Sequence, residues 1–110
     1  MSMAFQLDLH TLELEPDGEV LRIWFNRPES RNAHNQQMVQ EVGDLFIALN
    51  SQSEFRVAVL GGRGKSFCAG ADRKEVLSEP ANDLEARYLG QLGRRAARAI
   101  EDCELVTIAR

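Results

Sequence analysis

The sequence contains little cysteine: Cys68 and Cys103 are the only two among its 110 residues. They lie far apart in the chain, and their separation fits no zinc-binding spacing. We therefore interpret both as small core residues of a protein kept in a reducing, cytoplasmic compartment. A metal centre is not expected.

The sequence also lacks a long apolar run and an excess of basic charge. No stretch approaches the roughly 18 apolar residues of a membrane span, and the N-terminus shows no secretory signal peptide. With 13 basic and 17 acidic residues, the net charge is −4, which argues against nucleic acid as a partner. Apolar residues make up 44% and charged residues 27%, a composition typical of a soluble globular domain that is not a membrane protein.

Hydrophobic periodicity predicts an α/β fold with the element order ββαβααβ. Pro16-Asp17-Gly18 predicts the turn of a hairpin, and the glycines from Gly61 to Gly64 are expected to close the third strand. Strands that alternate with helices predict parallel pairing and right-handed crossovers. The expected elements are strands over 7–15 and 20–25, a helix over 33–50, a strand over 56–60, a short helix over 73–77, a helix over 83–102 and a strand over 105–108.

The longer C-terminal helix is expected to carry its apolar residues on one side, because they recur at helical spacing. The residues on this side are Leu84, Tyr88, Leu92, Ala96, Ala99 and Ile100.

The stretch KSFCAGADRKE, residues 65–75, follows a predicted buried strand and has few chemically active side chains. A phosphate-binding P-loop would need a glycine at position 59, where the sequence has Val59. A nucleophilic Cys68 would need a base, and neither His10 nor His34 lies in a motif that supplies one. Both of these side-chain mechanisms are therefore disfavoured.

Backbone chemistry fits this stretch better. Gly70 permits dihedral angles that are closed to other residues, and Asp72 is a good helix N-cap. A turn of small residues that enters a helix presents free N–H groups, which can stabilise an oxygen that gains negative charge. Small residues at a tight turn also serve packing alone, so the residues themselves leave both interpretations open.

Two motifs together resemble the enoyl-CoA hydratase/isomerase, or crotonase, family. They are NRPESRNAHNQQMVQEV (26–42) and RVAVLGGRGKSFCAGADRKEV (56–76), and their separation fits the family as well. The resemblance extends over nearly the whole chain. It implies a crotonase-like spiral of ββα units, with residues 1–110 as the N-terminal part of one domain that is incomplete at its C-terminus.

The resemblance further implies that the substrate is an acyl-CoA thioester whose oxygen is held by two backbone amides. Ala71 matches the first amide donor. No cofactor is implied, since coenzyme A is part of the substrate, and family relatives form trimers or pairs of trimers. The residues that match the CoA-binding positions are Ser30, Arg31, Ala33, Ala69, Gly70, Ala71, Asp72, Arg73 and Lys74. Three of these are cations, which either attract CoA phosphates or are solvated surface charges.

Some family features have no match in these residues. The second amide would follow the strand over 105–109, and the acid and base of hydratases would lie later still. Glu75, Glu79 and Glu85 do not match those positions and are expected to be solvated helix charges. Arg73 departs from the aliphatic residue of many relatives.

The sequence leaves three hypotheses open, two about function and one about folding. The first is an enoyl-CoA hydratase, and its near alternative is an enoyl-CoA isomerase that uses the same amides with different acid and base groups. The second is a CoA-binding module without catalysis, if the protein ends at Arg110. The third is that the 110 residues do not fold alone, because the last strand would leave an unpaired apolar edge.

Overall fold

The computed structural model describes residues 7–70 and 81–109. It contains strands β1 (Leu12–Asp17), β2 (Val20–Phe25), β3 (Val57–Gly62) and β4 (Val106–Ala109), helices α1 (Gln36–Leu49) and α2 (Asp83–Glu101), and a 3-10 turn at Pro28–Ser30. The strands form one sheet in the order β1-β2-β3-β4. β1 runs antiparallel to β2, whereas β2–β3 and β3–β4 are parallel. The predicted hairpin and parallel pairing are thus confirmed, and the predicted short helix over 73–77 lies outside the described residues.

The hairpin turn is shorter than the sequence predicted. Pro16 and Asp17 were expected in the turn, but they belong to β1, opposite Leu21 and Val20. Proline is tolerated there because β1 is the edge of the sheet, where a missing N–H interrupts no ladder. The chain reverses its direction at Gly18, whose positive φ of 60° suits a residue without a side chain.

The core lies between the sheet and α1. The buried residues of β2 and β3 alternate along each strand, as expected when one face of a sheet is covered. α1 contributes its apolar stripe to the same cluster, at helical spacing. The buried side chains of this layer include Leu21, Ile23, Ala58 and Leu60 of the sheet and Met38, Leu45, Phe46 and Leu49 of α1.

α2 packs along only part of its length. Leu92, Ala96 and Ala99 are buried, but Leu84 and Tyr88 are 76% and 47% exposed. The apolar side predicted for this helix is therefore covered only in the second half of the helix. Periodicity shows which face of a helix can be buried, but not whether a neighbour covers it. Neither α1 nor α2 is long and apolar enough to cross a lipid bilayer.

Candidate functional site

Two loops leave the sheet side by side. The first loop (26–34) follows β2 and ends before Asn35, the N-cap of α1, and the second loop (63–70) follows β3. Because β2 and β3 are parallel neighbours, their carboxyl ends lie at the same edge of the sheet. In open α/β sheets this edge is the usual place for a ligand. The two loops carry the two sequence motifs, which the sheet therefore brings together.

β3 continues through the glycines that the sequence assigned to a turn. Gly61 pairs with Trp24 and Gly62 with Phe25, so the predicted end of the strand at Leu60 is wrong. Glycine is needed at this point of β3 because the second loop folds back over the end of the strand. A Cβ added to Gly62 would lie 2.2 Å from the Ser66 carbonyl oxygen and 2.6 Å from that of Phe67. Gly62 is thus required for close approach rather than for a turn.

Asn32 joins the two loops through its side chain. It is completely buried, and its Oδ1 accepts a hydrogen bond from the Arg27 amide at 2.8 Å. Its Nδ2 donates to the Arg63 carbonyl at 2.8 Å and to the Ser66 carbonyl at 2.7 Å. One carboxamide therefore fixes the start of the first loop and two carbonyls of the second.

Backbone hydrogen bonds tie the far ends of the loops to each other. The Ala69 amide donates to the Arg31 carbonyl at 3.0 Å, and the His34 amide donates to the Gly70 carbonyl at 2.8 Å. Arg31 and Asn32 both have positive φ, 54° and 57°. Such angles are uncommon outside glycine and require support from their surroundings. The two loops supply that support by bonding on both sides of these residues.

The structure brings together the predicted site residues that it describes. Arg31 is exposed and Ala33 is 8% exposed. Gly70 has a φ of 99°, in the region that favours glycine. The predicted residues found on the joined loops are Ser30, Arg31, Ala33, Ala69 and Gly70. Ala71, Asp72, Arg73 and Lys74 lie outside the described residues, and so do Glu75 and Glu79.

Two arginines of these loops are engaged with the protein itself. The Arg27 guanidinium donates to the Ala33 carbonyl. Arg63 lies over the Trp24 ring, 4.1 Å from its centroid, and forms an ion pair with Glu13. The exposed Arg31 is therefore the better placed cation of the first loop to meet an anionic ligand.

An open apolar pocket of about 250 Å³ lies beside the loops. Phe25, in its wall, approaches Phe67 of the second loop edge to face, with ring centroids 5.2 Å apart. Cys68 is a free, half-buried thiol. The pocket is lined by Phe25, His34, Met38, Val39, Val42, Cys68, Gly93 and Ala96. Within residues 7–70 and 81–109, no three His, Cys, Asp or Glu side chains are grouped so as to hold a metal ion.

Sequence reasoning missed the role of Asn32. Asn32 lies in the first motif, but neither the sequence pattern nor the family resemblance predicted a function for it. Its position between Arg31 and Ala33, both predicted site residues, was the available signal. Asparagine also tolerates a left-handed backbone better than most residues.

Comparison with known proteins identifies the family of the chain. The family model for enoyl-CoA hydratase/isomerase matches residues 15–110. The chain belongs to the enoyl-CoA hydratase/isomerase family. Both motifs, and therefore both loops, lie inside the matched range.

Individual members of the family support the assignment. A short-chain-enoyl-CoA hydratase of Clostridium acetobutylicum is 35% identical over 104 residues, covering 94% of this chain and 39% of that protein. A mitochondrial Delta(3,5)-Delta(2,4)-dienoyl-CoA isomerase of Mus musculus is 35% identical over 99 residues, covering 82% of this chain and 30% of that protein. The chain thus spans about two fifths or less of these relatives.

The fold agrees with a solved structure of the family. An enoyl-CoA hydratase/isomerase from Mycobacterium paratuberculosis superposes with a TM-score of 0.85 at 26% identity, covering 94% of this chain and 42% of that chain. The predicted crotonase-like fold is therefore confirmed for the part of the domain present here. Within residues 7–70 and 81–109, the N-terminal portion of that fold consists of the four-stranded sheet and the helices α1 and α2.

Proposed function

We propose that this chain supplies the thioester-binding half of an enoyl-CoA hydratase. In this reaction water adds across the 2,3 double bond of an enoyl-CoA, with hydroxyl at C3 and a proton at C2. The observation that carries the proposal is the joining of both family motifs at one sheet edge, by Asn32 and by the hydrogen bonds of Ala69 and His34.

The proposed chemistry relies on a backbone amide. When a nucleophile adds at C3, negative charge develops on the thioester oxygen, and a preorganised N–H lowers the energy of that state. Ala71 directly follows Gly70 and is the proposed donor, as the family resemblance implies. The hydrogen bond from His34 to the Gly70 carbonyl anchors the peptide group immediately before it.

The surroundings of the loops suit the other parts of an acyl-CoA. Arg31 is exposed beside the loops and is proposed to attract the CoA phosphates. The apolar pocket beside Cys68 offers lining for a short hydrocarbon chain. Asp72, Arg73 and Lys74 remain proposed members of the CoA site on the family resemblance alone.

Crotonyl-CoA provides the direct test. The test uses the intact enzyme of which this chain is the proposed half. It is incubated with crotonyl-CoA, and loss of the conjugated enoyl absorbance is followed together with a product that has gained one water in mass. We expect hydration well above the uncatalysed rate. A folded protein that binds acetyl-CoA in calorimetry but produces no hydrated product would support the CoA-binding module instead. If it neither binds nor hydrates, both functions are refuted.

The isomerase alternative is favoured by one observation, the similarity to a dienoyl-CoA isomerase. The two reactions are separated by giving the protein a 3-enoyl-CoA in D₂O. An isomerase transfers the double bond and retains the mass of the substrate apart from exchanged deuterium. A hydratase leaves the 3-enoyl thioester unchanged.

The amide donor is tested by Ala71→Pro, which removes the N–H. We expect kcat for crotonyl-CoA to fall by about two to three orders of magnitude, the usual effect of removing one oxyanion donor. Ala71→Gly, which retains the N–H, serves as the control. Equal activity of the two variants would show that Ala71 is not the donor.

Assembly into trimers or pairs of trimers also remains a proposal from the family resemblance. Light scattering on the purified protein tests it directly. A mass of three or six chains supports the proposal, and a monomer refutes it for this chain.

A further inference from the structure

Asn32 is the most constrained polar side chain of the two loops. It is completely buried and forms three hydrogen bonds, one accepted and two donated. We propose that Asn32 is a positioning residue, whose carboxamide holds the second loop, up to Gly70, in the geometry that thioester binding requires. The inference rests on the proposed function, because it concerns the same site.

The hydrogen-bonding pattern around Asn32 selects a carboxamide. On one side the Arg27 amide requires an acceptor, and on the other the Arg63 and Ser66 carbonyls require two donors. A neutral carboxamide supplies one oxygen and two N–H groups. Aspartate matches the shape but, when ionised, supplies acceptors only. Its second oxygen would then face two carbonyl oxygens.

The bonds of Asn32 are placed where they control the second loop. Arg63 is its first residue, and Ser66 is its midpoint. The next fixed points are Ala69 and Gly70, bonded to Arg31 and His34. The first loop therefore holds the second at its start, its middle and its end. Without Asn32, the described part of the loop would keep the backbone bonds at Arg63, which donates to Phe25, and at Ala69 and Gly70. Ser66, between them, would lose the bond from the Asn32 Nδ2.

A purely structural role for Asn32 makes a different prediction from a positioning role. Loss of a structural side chain reduces the amount of folded protein, but each folded molecule keeps its activity. Loss of a positioning side chain reduces kcat in molecules that are folded. A displacement of about 1 Å far from the chemistry can reduce the rate by about 100-fold.

The experiment compares Asn32→Ala, Asn32→Asp and the control Asn35→Ala in the crotonyl-CoA assay. Asn35 lies three residues later, and its side chain accepts a hydrogen bond from the Met38 amide at the start of α1. We expect Asn32→Ala to lower kcat by about 100-fold per folded molecule. Asn35→Ala should reduce stability and leave kcat unchanged. Equal kcat in wild type and folded Asn32→Ala would overturn the proposal.

Asn32→Asp adds a pH signature that a structural role would not give. Burial without a cation partner raises the pKa of a carboxyl. When protonated, this aspartic acid donates one hydrogen bond again. The kcat of Asn32→Asp per folded molecule, relative to wild type, should therefore rise as the pH falls from mildly alkaline to mildly acidic. Dividing by the pH profile of wild-type activity corrects for the other charged or titratable groups of the two loops, which are His34, Arg27, Arg31 and Arg63. A ratio that stays flat with pH would contradict the proposal.

Hydrogen exchange separates failure of this inference from failure of the proposed function. If wild type neither binds nor hydrates an acyl-CoA, the proposed function fails. The positioning of the loop is then tested by exchange of the Ala69 and His34 amides, which donate to the Arg31 and Gly70 carbonyls. Faster exchange in Asn32→Ala but not in Asn35→Ala supports the positioning role. Equal rates in both variants refute it.

Discussion

The two ends of the sheet are closed by glycines that act for different reasons. At the hairpin end, Gly18 has a φ of 60°, and an added Cβ would find no atom within 4 Å. At the carboxyl end of β3, a Cβ on Gly62 would lie 2.2 Å from a backbone oxygen. The first glycine supplies a backbone conformation, whereas the second supplies space. The hairpin end therefore needs only a local turn, and the other end needs a second loop packed onto it.

This difference shows which end of the sheet is held in a fixed geometry. The Gly18 turn connects neighbouring strands and leaves open space beside Gly18. Its other residue, Glu19, accepts hydrogen bonds from the Arg56 and Val57 amides at the start of β3. The loops at the opposite edge are joined by side-chain and backbone hydrogen bonds between residues more than thirty positions apart. A region held in this way is preorganised, which is the property that oxyanion stabilisation requires.

The largest expected effect comes from Gly62→Ala. The added methyl group meets backbone oxygens that move only with the whole loop, so we expect a loss of at least about 3 kcal/mol, at the upper end for overpacking. Gly18→Ala should cost only about 1–2 kcal/mol, the penalty for a left-handed backbone. Urea unfolding of both variants measures the difference. Equal losses would break the contrast between the two ends of the sheet.

Asn32→Ala should have the next largest effect on stability. It leaves the Arg27 amide and the Arg63 and Ser66 carbonyls without their partner. Buried polar groups left unsatisfied cost about 1–3 kcal/mol, and we expect a total near 3 kcal/mol because water enters the space. Thermal unfolding provides the measurement. A loss below that of Asn35→Ala would show that the carboxamide does not hold the loops.

The sequence predicted the sheet and helices well because periodicity reflects burial on one face. The hairpin, α1, β3 and the parallel pairing follow from such patterns. Gly61 and Gly62 were misread as a turn because glycine at a close approach and glycine at a reversal look the same in sequence. The exposure of Leu84 and Tyr88 on the apolar side of α2 was not predictable, because a pattern does not show whether a neighbour is present. The bonds of Asn32 to Arg63 and Ser66 were not predictable, since they depend on two loops distant in sequence.

A smaller effect is expected from the helix caps. Asn35 caps α1, which is packed along its length, whereas Asn82 caps the exposed first half of α2. Asn35→Ala should cost about 1 kcal/mol. Asn82→Ala should cost less, because the first turn of α2 can fray without exposing buried side chains. Urea unfolding of the pair checks this order, and a larger cost for Asn82→Ala would reverse it.

The smallest effect is expected from the side chain of Arg63. Its ion pair with Glu13 and its contact with Trp24 are partly exposed, and exposed pairs contribute less than about 1 kcal/mol. The backbone carbonyl that bonds Asn32 is unchanged in Arg63→Ala. We therefore expect a small loss of stability and unaltered affinity for acetyl-CoA, measured by calorimetry. A large loss of affinity would show that charge on the outer face of the sheet contributes to the site.

The most direct test of the central claim is amide NMR during titration with acetyl-CoA. If the two joined loops form the thioester site, the amides of Arg31, Ala33, Ala69 and Gly70 shift with one common dissociation constant. The amide of Gly18, at the other end of the sheet, stays in place. Shifts confined to other parts of the chain, or no shifts in a folded protein, would contradict the account.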